Sequence, residues 1–494
     1  MSRWKEIQQM EPAEHKALQN RLLRKFIERR LYPFSSYYRE LFDTHKIRPE
    51  TIRHVEDLAE IPYTTKQDLM ATPADPDRSR RLVLIPSREA ISEHWPLGAR
   101  LPLLLMAMTR GKKHVQEKLR REYYPTFMTF TTGRSANPVP FLYTAHDLDL
   151  LRSSGARLSE VCGILDDDKV LNLFPYAPHL AFWQVAMAGF ERNIFVLGTG
   201  GGKVAGTEGN LRILTSFQPD VIASVPGYLY HVLREACNRG LEIKGTKTVI
   251  LGADVVPPGM KTKLMELFDQ LGSPGVKVIG TYGFTEARMA FGECITEDGS
   301  SSGYHLYPDQ GIFEIINPLS GEVLPPEADG ELVYTPLDGR GTTVLRYRTG
   351  DLVEGGLRFG ACPHCGRKLP RISSNLKRKT SITNVNLLKV KGTLVNMEEV
   401  GMVLANDLAV EEWQVELRKR NDDPLDVDEL ILYITLKSEQ DAEAVESRLR
   451  GEVKSRTEIS PNEIRMLPLE SLLHRVGMEK EMKERRYVDA RVKS

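Results

Sequence analysis

The chain lacks an excess of charge of either sign and has few cysteines. Lys and Arg together number 67, as do Asp and Glu, so the formal net charge is +0. A balanced chain carries no overall field that would attract nucleic acid or an anionic membrane. Five cysteines, an odd number in 494 residues, disfavour a disulfide framework. We therefore expect a reduced, cytoplasmic protein that does not bind nucleic acid.

Long hydrophobic runs are also missing. The longest, residues 101–108, is far shorter than the ~20 residues that a membrane-spanning helix needs. Residues 1–6 contain no apolar core of a signal peptide. The sequence therefore predicts no membrane span. A basic stretch at residues 110–121 is interpreted as a solvated helix face.

From about residue 170 the hydrophobic pattern alternates between strand and helix. Short apolar strands are predicted at residues 220–224, 248–251 and 277–280, with a turn at Pro226-Gly227. Helical spacing of apolar residues separates these strands, at Leu229, Val232, Leu233 and Ala236 and then at Leu264, Leu267, Phe268 and Leu271. Two successive βαβ units predict an α/β fold with a parallel sheet.

The flanking regions have different patterns. Residues 1–70 are predicted to be helical, and residues 71–125 helical near 112–122 and irregular before it. Residues 382–494 are charge-rich, with strands at 412–417 and 429–436 and a helix that carries Val445, Leu449 and Val453 on one stripe. This pattern predicts a small α+β domain, with residues 375–381 as the hinge before it.

Three short segments combine hydroxyl, glycine and acidic residues. Residues 131–138 (TTGRSANP) form a loop whose N–H groups and hydroxyls suit phosphate oxygens. Residues 281–286 (TYGFTE) place a hydroxyl and a carboxylate beside an aromatic ring, as a magnesium–nucleotide site requires. Residues 345–352 (LRYRTGDL) contain an aspartate able to accept hydrogen bonds from two ribose hydroxyls. Each segment alone is most often just a loop, whereas the ordered set favours a nucleotide site.

These motifs resemble those of the adenylate-forming (AMP-binding, acyl/aryl-CoA synthetase) superfamily, and specifically its phenylacetate–CoA ligase-like branch. That branch carries S-S-G-T-T-G-K-P followed by Tyr-Thr, and Tyr143-Thr144 lies at the matching distance. It also carries Y-G-x-T-E and R-Y-R-T-G-D, both present here without a gap. Weaker matches extend from Trp4 to Asp489, so the resemblance covers nearly the whole chain, with residues 71–125 as an atypical insertion.

The resemblance implies a large N-terminal adenylation domain, residues 1–378, and a small mobile C-terminal domain, residues 379–494. Glu286 would hold Mg²⁺, with Thr285 near the α-phosphate of ATP. The nucleotide-binding residues that the resemblance implies are Thr131, Thr132, Gly133, Arg134 and Ser135 for the phosphates, Gly252, Ala253, Asp254, Tyr282 and Gly283 for adenine, Asp351 for the ribose hydroxyls, and Arg378 for ribose and phosphate.

The family's C-terminal G-K-A-x-R-V-x-D carries the lysine that serves adenylation. Lys483 and Asp489 keep the family's six-residue offset, so Lys483 is the candidate and Lys480 the alternative, although most basic residues in this tail must be solvated. The chain departs from the pattern in three places: Ala136-Asn137 replace the loop's Gly and Lys, Met482 replaces the Gly before the lysine, and Thr380-Ser381 replace the paired hinge aspartates. The hinge change puts the second half-reaction in more doubt than the first.

A second constellation is typical of a metal site. Cys362-Pro363-His364-Cys365-Gly366 is a C-x-x-C knuckle, and Cys294 and His305 are further soft ligands upstream. A C-x-x-C motif alone is as often without a metal as with one. Cys294 could instead be an ordinary core residue, and His305 a surface loop residue. Some relatives in the branch pair a cysteine and a histidine just after Y-G-x-T-E with a later C-x-C or C-x-x-C. This resemblance favours a structural zinc, with His364 as the alternative to His305.

The resemblance implies a two-step reaction in which a carboxylic acid reacts with ATP to form acyl-AMP and is then transferred to CoA with release of AMP. Two alternatives stay open: an adenylating ligase with another acceptor (a carrier protein, an amine or a cofactor), and a nucleotide-binding homologue without catalysis. The acid pocket is expected to draw on Tyr176, His179, Phe182 and Trp183, which favours an aryl or apolar acid, although the same residues could belong to the core. A homodimer is compatible with the sequence.

Overall fold

The computed structural model describes residues 2–131, 139–295, 300–378, 387–390, 393–422, 427–438, 440–457, 459–478 and 484–491. For residues 2, 378, 387–390, 393–396 and 422 the description is limited to the backbone. Two compact units are formed, one from Met1–Asp167, Ala177–Phe195 and Thr281–Leu376, the other from Asp168–Tyr176, Val196–Gly280 and Lys377–Ser494.

Regular elements occupy most of the described chain. The helices are α1 (Ser2–Ile7), α2 (Pro12–Phe26), α3 (Tyr32–Phe34), α4 (Ser36–Thr44), α5 (Lys66–Leu69), α6 (Arg78–Arg81), α7 (Arg88–Glu93), α8 (Leu97–Arg110), α9 (Lys112–Tyr123), α10 (Ala145–Val161), α11 (Leu180–Arg192), α12 (Gly202–Phe217), α13 (Pro226–Asn238), α14 (Pro258–Gln270), α15 (Met397–Asn406), α16 (Ala442–Thr457) and α17 (Leu469–Val476). The strands are β1 (Pro125–Phe130), β2 (Pro140–Thr144), β3 (Lys169–Asn172), β4 (Phe195–Gly198), β5 (Val221–Ser224), β6 (Thr248–Leu251), β7 (Lys277–Phe284), β8 (Met289–Ile295), β9 (Ser301–His305), β10 (Gly311–Ile316), β11 (Gly330–Pro336), β12 (Tyr347–Val353), β13 (Leu357–Arg358), β14 (Arg371–Ile372), β15 (Leu376–Arg378), β16 (Leu387–Val390), β17 (Thr393–Asn396), β18 (Val410–Lys419), β19 (Asp428–Leu436), β20 (Glu463–Met466) and β21 (Tyr487–Asp489).

The second unit contains the predicted parallel sheet. β3, β5, β6 and residues 277–280 of β7 pair in parallel in that order. Helix α13 connects β5 to β6, and helix α14 connects β6 to β7. Both segments form helices that can bury an apolar stripe against the sheet. The predicted stripe residues of α13, Leu229, Val232, Leu233 and Ala236, are all fully buried. The α/β class and both βαβ units are therefore confirmed.

The C-terminal part of the same unit is an α+β arrangement, as predicted. Four of its strands form a sheet in the order β20-β19-β18-β21, with β18 and β19 antiparallel, and β16 pairs with β17 separately. Val445, Leu449 and Val453 of α16 are buried in one core with residues of β18 and β19. The boundary between residues 1–378 and 379–494 stays a prediction.

The first unit combines the N-terminal helices with antiparallel strands. Residues 281–284 of β7 pair with β8, β8 pairs with β9, and β9 pairs with β14. A separate antiparallel set joins β10 to β11 and β11 to β12. One hydrophobic core connects α1 to α4 with these strands, through residues such as Leu23, Phe42, Phe291 and Tyr334.

Two local expectations are wrong. Residues 78–81, 88–93 and 97–110 form α6, α7 and α8 rather than irregular chain. In α8 the Leu-, Ala- and Met-rich sequence favours helix despite Pro102. Pro226-Gly227 is the first turn of α13 rather than a separate turn. Proline suits that position because its missing N–H would have no intrahelical partner there.

Candidate functional site

The predicted magnesium–nucleotide motif lies where β7 ends. Tyr282 and Gly283 are in the strand, and Thr285 and Glu286 form the 3₁₀ turn Thr285–Ala287 directly after it. The side chains of Thr285 and Glu286 are buried. The motif therefore begins in the part of β7 that pairs antiparallel with β8 and ends in the turn after it.

Asp351 lies next to this motif. The Tyr282 hydroxyl donates a hydrogen bond of 2.7 Å to Oδ2 of Asp351, across 69 positions of sequence. The Asp351 backbone N–H donates to Oγ1 of Thr349 at 3.1 Å, which fixes the turn before the carboxylate. The side chain of Asp351 is only 4% exposed. The second and third motifs are thus brought together at one buried carboxylate.

A second tyrosine joins the same two motifs. The Tyr347 hydroxyl donates a hydrogen bond of 2.6 Å to Oε1 of Glu286. Tyr347 and Asp351 are four residues apart in β12, and both side chains are buried. The pairing of β12 with β11 is irregular between Arg348 and Leu352. Sequence reasoning assigned no role to Tyr347, although its position in the RYRTGD motif could have identified it.

A buried ion pair supports the turn after Glu286. Arg288 has a left-handed backbone conformation (φ 58°), and its guanidinium pairs with Asp147. Asp147 is fully buried, and it accepts hydrogen bonds from the backbone N–H groups of Arg340 at 3.0 Å and Gly341 at 2.7 Å. Burial raises the pKa of Asp147, but Arg288 and these N–H groups hold the pKa below its usual value. Asp147 was not identified from the sequence; the Thr144-x-x-Asp147 capping box was the available signal.

The predicted adenine segment follows a different strand. Gly252, Ala253 and Asp254 come directly after β6, at the carboxyl end of the parallel sheet, and Gly252 donates its backbone N–H to the Ser224 carbonyl at 3.2 Å. Ala253 has a left-handed conformation (φ 68°), and Ala253 and Asp254 are exposed. This position is accessible to a ligand at the sheet edge.

The phosphate loop is described only at its start. The Thr131 backbone N–H donates to the Val139 carbonyl at 3.0 Å, and the Val139 N–H donates to Oγ1 of Thr131 at 3.1 Å. Thr132, Gly133, Arg134 and Ser135 lie outside the described residues, as do Lys480 and Lys483. Arg378 ends β15, and only its backbone is described.

The chain directly after Lys483 is fixed to the second unit by buried charges. Glu484 lies against Gly227 in the first turn of α13, where a Cβ atom would come within 2.5 Å of its Oε1 atom. Arg486 forms an ion pair with Glu412 of β18. Burial raises the pKa of Glu484, and Asp254 raises it further. This proximity places the residue that follows Lys483 near the predicted adenine segment, within one unit.

The four predicted metal ligands come together. Cys294 is in β8, His305 ends β9, and Cys362 and Cys365 lie in the turn between β13 and β14. Their sulfur and ring nitrogen atoms all lie within 4.8 Å of one another. Gly366 has φ +71° and donates its N–H to the Cys362 carbonyl at 2.9 Å, a left-handed turn that favours glycine.

Electrostatics within this cluster lower the pKa of Cys362 and Cys365, which favours their thiolates, and raise the pKa of Cys294, which favours its thiol. Hydrogen bonding by the Cys294 thiol lowers the pKa of Cys365, and Cys365 raises the pKa of Cys294. Burial raises the pKa of Cys362, but hydrogen bonds from His305 and Ser302 bring it below the usual value. Nδ1 of His305 has no hydrogen-bond partner among the described residues.

The residues expected to line the acid pocket are not core residues. Tyr176 is 61% exposed, and His179, Phe182 and Trp183 are half-buried. In the first unit, Trp183 of α11 makes edge contacts with Phe127 and Phe182, at ring-centroid distances of 5.3 and 5.5 Å. An aromatic cluster with accessible surface is therefore available on α11.

Comparison with known proteins gives a consistent result. Residues 49–339, more than half of the chain, match the family described as AMP-binding enzyme. A phenylacetate-coenzyme A ligase of Thermus thermophilus is 26% identical over 418 residues, covering 84% of this chain and 80% of that protein. The phenylacetate-coenzyme A ligase of Escherichia coli K12 is 26% identical over 383 residues, or 76% and 74% of the two chains.

A solved structure supports the fold. The 2-hydroxyisobutyryl-CoA ligase in complex with 2-HIB-AMP has a TM-score of 0.73 at 18% identity, covering 98% of this chain and 91% of that chain.

Across the described residues, no helix has the length and apolar character needed to cross a bilayer.

Proposed function

Because the chain belongs to the AMP-binding enzyme family, we propose that it is an ATP-dependent, AMP-forming acid–CoA ligase. The acid carboxylate would attack the α-phosphate and expel pyrophosphate, and the CoA thiol would then attack the acyl-adenylate and release AMP. The relatives at 26% identity are named phenylacetate-coenzyme A ligases, which supports an acid substrate and CoA as acceptor.

One observation carries the proposal. Two carboxylates from distant motifs, Glu286 and Asp351, are buried side chains that each accept a tyrosine hydroxyl, at 2.6 and 2.7 Å. Phosphoryl chemistry needs fixed charges more than covalent help. Tyrosine donors hold both carboxylates in place, so Asp351 can take the ribose hydroxyls and Glu286 a cation without prior rearrangement.

Magnesium would be held at Glu286, and Thr285 would lie near the α-phosphate of ATP. Carboxylate oxygens are ligands that Mg²⁺ prefers, so Glu286 fits the ion. The bound cation would neutralise phosphate charge. The chain's own contribution is the Tyr347 hydrogen bond, which orients the Glu286 carboxylate.

Zinc would be held by Cys294, His305, Cys362 and Cys365. Three thiols and an imidazole within 4.8 Å of one another are the donor set of a tetrahedral structural zinc, and they fit it. Four protein ligands leave no open position, so the ion would stabilise the fold and take no part in the reaction.

The acid is proposed to be aryl or otherwise apolar, since Phe182 and Trp183 offer accessible aromatic surface. Acid-dependent ATP–pyrophosphate exchange with a panel of acids tests the proposal, and CoA-dependent AMP release then tests the acceptor. Exchange without CoA dependence would favour a carrier-protein, amine or cofactor acceptor. A complete lack of exchange, with ATP still bound, would favour a homologue without catalysis.

A cytoplasmic location and a homodimer stay predictions. All five cysteines are free thiols in the structure, which is compatible with a reducing compartment. Light scattering of the purified chain tests the homodimer.

A further inference from the structure

Helix α8 carries a stripe of large apolar side chains that faces away from the protein. Its five members lie at helical spacing and cover one face of α8. They are Leu97, Leu101, Leu104, Leu105 and Met108, exposed by 70%, 56%, 56%, 61% and 83%. Contiguous exposed apolar patches are rare on monomers and mark protein or membrane contacts.

The orientation of α8 is fixed by its other face. Ala99 and Leu103 pack against the hydrophobic core of the first unit, as does Leu119 of α9. Gly111 (φ 85°) ends α8 and turns the chain directly into α9. The apolar stripe is therefore held outward on a packed helical hairpin.

Lys and Arg residues come directly after the apolar stripe in the sequence. No acidic residue occurs between Glu93 and Glu117, whereas cations are frequent over α8 and α9. Exposed cations at the α8–α9 corner and along α9 are Arg110, Lys112, Lys113, Lys118, Arg120 and Arg121. Within the described chain, none of these six forms an ion pair with a carboxylate.

We propose that the α8–α9 hairpin docks on an anionic lipid surface. Helices that lie in the headgroup region of a membrane combine an apolar face with neighbouring Lys and Arg residues. The α8–α9 hairpin has both features, since the apolar stripe is followed by Lys and Arg that form no ion pair among the described residues. The charge is complementary to anionic lipid, which attracts basic residues that lie near its surface. A second copy of this chain is disfavoured as occupant, because a symmetric contact would bring two like-charged α9 helices together.

Docking of this kind is peripheral. Helix α8 has 14 residues, which gives a length of about 21 Å, and it would lie in the plane of the interface. Binding should weaken as salt is raised, since exposed charges are screened within ~8 Å at physiological ionic strength. The inference does not depend on the proposed ligase activity.

Vesicle flotation of the full-length chain tests the proposal. We expect binding to vesicles of phosphatidylglycerol mixed with phosphatidylcholine, and at least ~10-fold weaker binding to phosphatidylcholine alone. The double variant Leu104→Glu/Leu105→Glu should lose binding to the mixed vesicles, and Lys112→Glu/Lys113→Glu should weaken it by about tenfold or more. Both pairs are exposed, so melting temperature and ATP–pyrophosphate exchange should stay at the wild-type level.

Matched controls use exposed residues elsewhere. Leu319→Glu, at a position 85% exposed, and Lys454→Glu on α16 should leave vesicle binding unchanged. The proposal is overturned if the wild type floats with neither vesicle, or if the α8 variant binds as the wild type does. The proposal is also overturned if the wild type forms a dimer without lipid and Leu104→Glu/Leu105→Glu is a monomer. A second copy of this chain would then be the partner of α8.

Discussion

Asp351 shows how one residue of the site is prepared for its ligand. Its carboxylate is buried, and the Tyr282 hydroxyl fixes one of its oxygens at 2.7 Å. A buried carboxylate is costly unless hydrogen bonds compensate for its lost hydration. Two ribose hydroxyls would supply such bonds, so the nucleotide and the carboxylate should stabilise each other.

We expect Asp351→Ala to lose nearly all adenylation while the fold survives. Two charged hydrogen bonds at ~1.5–3 kcal/mol each amount to roughly 3–6 kcal/mol of lost binding free energy. Calorimetric ATP titration and pyrophosphate exchange measure the effect. Asp149→Ala, an exposed aspartate on α10, is the control and should behave as wild type. Near-normal ATP affinity in Asp351→Ala would show that the ribose role is wrong.

Cys362→Ser should lower zinc content and melting temperature together, because binding free energy at a structural zinc is folding free energy. The melting temperature should therefore fall clearly below that of the wild type. Elemental analysis and thermal unfolding measure the two quantities. Cys162→Ser replaces a buried cysteine outside the cluster, so it can lower stability but should keep the metal. Fully stable wild-type protein without zinc would contradict the assignment.

At the scale of elements, the sequence predicts best where local periodicity and burial agree. The stripe residues of α13 and the strand at residues 248–251 lie where their pattern indicated, because each element buries its apolar residues against a neighbour. Helix α8 was not predicted, because most of its large apolar side chains are exposed and do not form a stripe that a neighbouring element buries. Pro102 and Gly98 are poor helix formers, and packing of Ala99 and Leu103 against the core stabilises the helix despite them.

Helix α13 also carries a pH-sensitive group. His231 is buried, with its Nε2 atom 3.0 Å from the Thr207 hydroxyl and its Nδ1 atom 3.1 Å from Nη2 of Arg234. Burial, reinforced by the Arg234 charge, lowers the pKa of His231 to about 4 from 6.5, although Glu235 and Glu412 oppose the shift. The neutral ring is therefore the form that the folded state accommodates.

Because the folded-state pKa lies below the unfolded one, His231 favours the fold above pH 6.5, and this stability is lost as pH falls toward 4. The loss should reach at most about 3 kcal/mol. The unfolding free energy of wild type minus that of His231→Gln, measured by denaturant titration, should decrease over this range. His45→Gln, which replaces an exposed histidine, is measured alongside as the matched control. A constant difference for His231→Gln would place the titration elsewhere.

At the scale of the whole molecule, the site depends on contacts that local sequence does not encode. Tyr282 and Asp351 are 69 positions apart, and Ser302 and Cys362 are 60 apart. The motifs predicted which residue types were needed, since each chemistry requires particular donors. Tyr347 and Asp147 were missed because their importance lies in tertiary partners, Glu286 and Arg288, rather than in their own surroundings.

The proposed role of Lys483 depends on movement of a whole domain. In the family, the C-terminal domain presents this lysine for adenylation and moves it away for thioester formation. The residues just after it are anchored, since Arg486 pairs with Glu412 and Glu484 lies against Gly227.

We expect Lys483→Ala to slow acid-dependent pyrophosphate release by about 10²–10³-fold, the scale for one well-aimed donor that acts on charge developing in the transition state. Conversion of a supplied acyl-adenylate to the thioester should stay near normal, and the two half-reactions can be measured separately by stopped-flow or quench methods. Lys454→Ala, an exposed lysine of the same unit, should change neither. Equal slowing of both steps would indicate a misfolded C-terminal region, and an unaffected first step would move the role to Lys480. Because Thr380-Ser381 replace the family's hinge aspartates, a slow second step in the wild type itself would point to an acceptor other than CoA.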